Sequence, residues 1–329
     1  MGETTGIDAL TLMAVPLAFI VGFALRRGSV CMVEGTRQAM VLGRSLRLRA
    51  FAVAAGAAGC VILPLAWLLP GLGMLAPAFP IGPMTLAGGV LFGLGARING
   101  GCQFGTLGRL AGGETNYLFT CIAAVAGALL AMRLPLGAPA PSPLAEPGLA
   151  GVLTLAVLAL LAMPALRRRY LNNLLRSLRS RKAKLSPVPA MLIVGVVGGV
   201  LYTLAGSWTI GALLNRQGAW LLGEVSNGAD SKVIAGGLAL LAGAVFAAIW
   251  TRTFRLRAPS LAGFFRNGTG GALMGAGAAL VPGGNGTLLL YAMPSASPSG
   301  WIAFAAMSAT IALTFLPRRK RRRARAARA

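Results

Sequence analysis

Apolar segments recur along the chain at about 8–25, 50–69, 83–98, 117–134, 148–165, 188–205, 233–250, 268–281 and 300–316. Uninterrupted apolar runs of this length predict helices that cross a bilayer, yet several fall short of the about 20 residues a straight span requires. The run at 83–96 ends in Asn99-Gly100-Gly101-Cys102-Gln103-Phe104-Gly105-Thr106-Leu107-Gly108-Arg109. The run at 268–281 ends in Pro282-Gly283-Gly284-Asn285. In hydrocarbon an unpaired backbone N–H or C=O is costly, so such breaks persist only where protein buries them or where they line a cavity. Two further stretches, 29–42 and 207–222, are too polar or too short to span and lie between apolar runs; they are expected as re-entrant half-helices. The pattern predicts an all-α polytopic integral membrane protein built from full and broken helices.

The breaks are repeated. Displaced by 182 positions, Gly88-Gly89-Val90-Leu91-Phe92-Gly93-Leu94-Gly95-Ala96 lies over Gly270-Gly271-Ala272-Leu273-Met274-Gly275-Ala276-Gly277-Ala278, and in the same register Gly101 and Cys102 lie over Gly283 and Gly284. A weaker match sets Gly28-Ser29 over Gly206-Ser207. The chain therefore divides into a first transmembrane half at 1–165, a basic cytoplasmic loop at 166–187, a second half at 188–317 and a basic cytoplasmic tail at 318–329. The two halves are expected as inverted repeats, with the ligand path where the helices break.

Composition agrees with a membrane setting: 56% hydrophobic residues, 12% charged, mean hydropathy +0.73. The net charge of +24 raises the question of nucleic acid. The excess, however, is carried in short runs beside apolar segments, eight Lys/Arg at 167–184 and eight at 318–328. Such clusters are the positive-inside signal and favour anionic lipid headgroups, so membrane lipids are expected partners and nucleic acid is not. With both clusters in the cytoplasm of a bacterial inner membrane, Arg26, Arg27, Arg44, Arg47, Arg49, Arg252, Arg255 and Arg257 also fall inside. The N-terminus, with Glu3 and Asp8, falls outside. It lacks the basic n-region and cleavage motif of a secretory signal.

The chain has four cysteines and no histidine. Without His, an acidic cluster or a Cys-x-x-Cys pair, nothing argues for a metal, a cofactor or a His-based catalytic triad. Cys60 and Cys121 sit in ordinary apolar helices and read as small buried residues. Cys31 and Cys102 sit at breaks, where half-helix N-termini offer N–H groups and a positive dipole end to an anion. A thiol is a polarizable, weakly donating group suited to a sulfur-containing ligand. Gly88, Gly93, Gly95, Gly270, Gly275 and Gly277 read as helix-packing positions. The consecutive glycines Gly100, Gly101, Gly283 and Gly284, beside Asn99, Cys102 and Asn285, read instead as backbone approaching a ligand. Arg37, Arg97 and Arg109 are the cations nearest the breaks, with Glu34 and Glu114 as alternative partners. Asn215 and Arg216, near Trp208, would face an outer mouth.

At these motifs the chain resembles the YeeE/YedE family of membrane proteins, associated with uptake of thiosulfate and related sulfur compounds. The resemblance rests on Gly28-Ser29-Val30-Cys31-Met32 with Thr36-Arg37, on Gly95-Ala96-Arg97-Ile98-Asn99-Gly100-Gly101-Cys102 with Gly105-Thr106 and Arg109-Leu110, and on Leu280-Val281-Pro282-Gly283-Gly284-Asn285. It implies an hourglass-like permease of two pseudo-symmetric halves in which an anion passes a constriction lined by thiols, without turnover chemistry. Cys31 and Cys102 match two family cysteines; where thiosulfate-carrying members have a third, this chain has Gly284-Asn285. The expected pathway residues are Cys31, Cys102, Gly101, Gln103, Thr106, Asn99, Gly283, Gly284, Asn285 and Arg37. The expected cargo is thiosulfate or another small sulfur-containing anion, and a cytoplasmic sulfur-carrier protein is a further expected partner. Two alternatives carry different predictions. One is a membrane sulfurtransferase with a persulfide on Cys31 or Cys102; the other is a non-transporting subunit that recruits partners through its basic segments.

Overall fold

The computed structural model describes residues 9–69, 74–134, 137–182, 184–206, 208–223, 225–281 and 283–317. The N-terminal Glu3 and Asp8, Ser207, Glu224, Pro282 and the basic tail at 318–329 lie outside the described residues. Among the described residues the fold is all-helical, with two isolated β-bridges, Ala78 with Ala140 and Glu114 with Arg257.

The first half runs α1 (Ala9–Gly28), α2 (Met32–Leu42), α3 (Leu46–Leu68), α4 (Pro83–Asn99), α5 (Gln103–Leu110), α6 (Asn116–Met132) and α7 (Leu149–Ala162). After a 3₁₀ turn (Met163–Leu166) comes α8 (Arg168–Arg179). The second half runs α9 (Pro187–Ala205), α10 (Ile210–Leu221), α11 (Ser231–Trp250), α12 (Leu261–Leu280), α13 (Asn285–Thr287) continuing into a π turn (Leu288–Ala292), and α14 (Pro298–Leu313). A long helix broken into a short one occurs twice in each half: α1–α2 and α4–α5, then α9–α10 and α12–α13. The apolar periodicity thus located the long helices, and both polar stretches, 29–42 and 207–222, hold the short helices expected there.

Five helical segments are long and apolar enough to cross a bilayer, and α12 and the short helix after it, bent by 45° from one another, are together long and apolar enough for a sixth. The chain is a polytopic membrane protein. Two expectations need correction. α12 is a full 20-residue helix that begins at Leu261, ahead of the apolar run; the helix runs on through its polar turn, where Arg266 Nε donates to Oδ1 of the wholly buried Asn267 at 3.1 Å. The segment at 166–187 is more than a connection, since it contains α8.

The helices cross closely because glycines meet carbonyls. A methyl on Gly22 of α1 would strike the Leu240 carbonyl of α11, and one on Gly243 of α11 would strike Phe19 of α1. The same reciprocity holds for Gly275 with Ala124 and Gly127 with Ala272 between α12 and α6, and for Gly95 with Gly270 and Gly277 with Gly88 between α4 and α12. Gly93 lies against Met307 and Thr310 of α14. All six glycines read as packing positions therefore sit at helix crossings, the small-residue packing that substitutes for a hydrophobic drive inside a bilayer.

The crossings gather the basic segments at one end. Arg26 donates to Thr253 Oγ1 (3.1 Å), Arg27 to the carbonyls of Ser177 (2.6 Å), Ser180 (3.3 Å) and Arg181 (3.2 Å), and Arg47 to the Ser29 carbonyl (2.7 Å). Backbone pairing of Arg255 and Arg257 with Gly112 and Gly113 joins the same end.

Candidate functional site

Each break has a local cause. α1 stops at Gly28, Ser29 takes a left-handed φ of 48°, and Cys31 lies extended as the N-cap of α2. α4 ends at Gly100, whose φ of 78° reverses the chain, and Cys102 lies extended as the N-cap of α5. Two cysteines far apart in sequence thus occupy the same position, the cap of a short helix.

Tertiary packing brings the two caps together. The Met32 N–H, first of α2, donates to Cys102 Sγ at 3.2 Å, which seats Cys102 against the helix start that Cys31 caps. Neither cysteine accepts a side-chain capping hydrogen bond from its own helix. Both cysteines are free and buried, Cys102 completely. Two half-helices therefore aim their positive ends at one pair of thiols.

Gly105 makes this contact possible, and the sequence reading did not single it out as a site residue. A methyl there would lie 2.6 Å from Cys31 Sγ and 3.2 Å from its Cβ. Its only signal was its place in Gly-Gly-Cys-x-x-Gly-Thr.

The two asparagines beside the glycine pairs behave differently. Asn99 is wholly buried and fully engaged: its Nδ2 donates to the Gly101 carbonyl and to Thr106 Oγ1, both at 2.8 Å, and its Oδ1 accepts from Thr120 Oγ1 at 2.7 Å. Tyr117 OH donates to the Asn99 carbonyl at 3.3 Å. These bonds hold the Gly100-Gly101 break open and tie Thr106 and Gly101 into it. Asn285, equally buried, has no hydrogen-bond partner for either amide atom among the described residues. A buried amide without partners is destabilising by about 1–3 kcal/mol, so its retention calls for a ligand or a water.

Gln103 connects the thiol pair to the second break. Its Oε1 accepts from the Gly286 N–H of α13 at 3.4 Å, and its side chain fills the space over Gly284 and over Gly211 at the start of α10. A methyl on Gly284 would collide with Gln103, and Gly283 has a φ of 132°. The first turns of α2, α5, α10 and α13 all meet around Cys102 and Gln103.

Beyond Gln103 lies a cavity of about 480 Å³. Gln103, Thr106, Thr120, Thr209, Asn215 and Thr287 supply its polar groups, with the Gly283 and Gly284 backbone at the second break. The thiol pair does not line it. Cys121, read as an ordinary helical residue, does, because the face of α6 that it occupies turns away from lipid; periodicity alone gave no sign of this.

The cations lie aside from the thiols. Arg37 forms a bidentate pair with Glu34, Nε and Nη2 at 2.7 Å. Arg97 stands over the Phe315 ring at 4.7 Å, and Arg109 over Tyr117 at 5.5 Å with Glu114 3.6 Å away. Arg216 donates to the Gly228 carbonyl. Trp208 is buried with no partner for its Nε1 among the described residues.

The sulphur transport family matches residues 27–313 of the chain, a span that includes every break, both capping thiols and the cavity. Among relatives, the thiosulfate transporter TsuA of Escherichia coli (strain K12) is 28% identical over 94% of this chain and 96% of its own length.

Proposed function

The chain belongs to the sulphur transport family, and on that premise we propose that it is a membrane permease for thiosulfate or another small sulfur-containing anion. The observation that carries this reading is the thiol pair Cys31–Cys102 at the facing N-termini of α2 and α5. The anion enters the cavity, meets the hydroxyls of Thr106, Thr120 and Thr287, and displaces the Gln103 side chain from Gly284. It then takes hydrogen bonds from the two thiols and from the helix N-termini. The Asn285 amide, without a partner among the described residues, completes the site at the place where the resemblance to thiosulfate-carrying family members would put a third thiol. The arrangement supplies weak donors and no fixed countercharge, which suits passage rather than tight retention. On this reading the protein moves its cargo without chemistry on it, in keeping with a relative named as a transporter.

In this reading the two halves are inverted repeats, supported by the recurrence of a broken long helix twice in each half. The end that carries Arg26, Arg27, Arg47, Arg255 and Arg257 lies in the cytoplasm, as the positive-inside rule requires. A carrier protein for sulfur would receive the cargo there.

Uptake of labelled thiosulfate, sulfite and sulfate into vesicles holding equal amounts of protein tests the proposal. Wild-type vesicles should accumulate thiosulfate. Cys102→Ala should lower uptake about tenfold or more, the worth of one or two lost hydrogen bonds. Unchanged uptake in Cys102→Ala would remove the thiols from the pathway, and a trapped persulfide with no accumulation would favour the sulfurtransferase instead.

A further inference from the structure

The helix α8 and its arginines have no part in the pathway. Around its axis the side chains fall into three arcs, as the 3.6-residue period dictates. Tyr170, Leu174 and Ser177 face the protein: Tyr170 and Ser177 are buried, and Leu174 packs on the core. Leu171, Leu175 and Leu178 form the next arc and are 40%, 66% and 53% exposed. Arg168, Arg176 and Arg179 form the third, fully on the surface, with no acidic residue anywhere in 167–184.

The helix is fixed in this orientation. Arg27, at the end of α1, donates to the carbonyls of Ser177, Ser180 and Arg181. At the other side Asn173 donates to the Lys184 carbonyl at 3.2 Å and accepts from the Ser186 N–H at 2.8 Å. The exposed leucines also continue a surface that is already apolar. Val157 and Leu160 of α7, then Met163 and Leu166 of the 3₁₀ turn, are all more than half exposed and lead directly into α8. A leucine arc continuous with a lipid-facing helix, bordered by arginines and lacking any acid, matches the interface of an anionic bilayer: acyl chains for the leucines, phosphates for the guanidinium groups.

We propose that α8 is an interfacial helix, seated in its own membrane leaflet, that binds anionic phospholipid headgroups through Arg168, Arg176 and Arg179. Because Arg27 ties α8 to the end of α1 just ahead of Ser29 and Cys31, bound anionic lipid also steadies the first break. The binding is independent of the cargo.

Two measurements on the full chain test this. Leu175→Trp is reconstituted into bilayers of phosphatidylcholine brominated on its acyl chains; the fluorescence gained over the parent should be quenched by the bromines and protected from aqueous acrylamide. In detergent micelles, phosphatidylglycerol should raise the melting temperature of the parent more than phosphatidylcholine does. The triple variant Arg168→Gln, Arg176→Gln, Arg179→Gln should lose most of that difference while melting like the parent in phosphatidylcholine alone. An indole open to acrylamide would overturn the seating and point to a protein partner or to water on that face. A triple variant with the full phosphatidylglycerol response would overturn the headgroup site.

Discussion

Two asparagines and one glycine decide the chemistry of the site. Asn99 and Asn285 both border a glycine pair, but only Asn99 has its amide engaged by the protein. Asn99→Ala should therefore destabilise the protein by roughly 1–3 kcal/mol through the donors and acceptors it orphans. Asn285→Ala should leave the melting temperature in detergent unchanged or higher while lowering thiosulfate uptake. Equal destabilisation by the two changes would sink the distinction. Gly105 has the converse role, as a position that must stay small. Gly105→Ala drives a methyl into the Cys31 sulfur, an overpacking cost of about 1–3 kcal/mol. Shortening the thiol should relieve it: in a Cys31→Ala background the same substitution should cost measurably less, a coupling read by a double-mutant cycle of unfolding. At this scale the sequence made the thiols and glycine pairs conspicuous but could not separate one asparagine from the other, since the two have similar neighbours in the chain and different ones in space.

The helices are held by close backbone approach. α6 and α12 meet with Gly275 on the Ala124 carbonyl and Gly127 on that of Ala272, leaving no room for any side chain. Gly275→Ala should lower the melting temperature or the yield of folded protein sharply. Gly268→Ala, in the same helix but with open space around it, should be neutral or stabilising by about 0.5–1 kcal/mol, the difference in helix propensity between the two residues. Unfolding of the two variants in one detergent compares them directly, and matching losses would show that the crossing does not depend on Gly275. The start of α12 shows the limit of hydropathy as a guide. Arg266 and Asn267 break the apolar run, yet the helix continues through them with Arg266 donating to Asn267.

For the molecule as a whole, the concentration of arginines at one end predicts the orientation. The arginine-rich end joins Arg26, Arg27, Thr253 and the segment around Ser177, while the other end is closed by the pairing of Ala78 with Ala140 and by Ser142 donating to the Ser295 carbonyl. With the basic end in the cytoplasm, Ala138→Cys should react with a membrane-impermeant thiol reagent in intact cells. Lys182→Cys should react only after the membrane is permeabilised. Both positions are exposed, so the reverse pattern, measured against the parent's own cysteines, would invert the orientation.

The chain by itself determined where helices run, where they break and on which segments the positive charge lies. Apolar run length, Gly-Gly pairs and Lys/Arg clusters act locally, through backbone desolvation and headgroup electrostatics, and leave a mark on the linear pattern. Only the tertiary structure decided that the caps formed by Cys31 and Cys102 meet, that Gln103 lines the cavity while the thiols do not, that Cys121 faces that cavity, and that α8 divides its surface among protein, leucines and arginines. Those outcomes depend on which carbonyl each glycine allows a neighbouring helix to approach, a relation between residues far apart in the chain that no local pattern encodes.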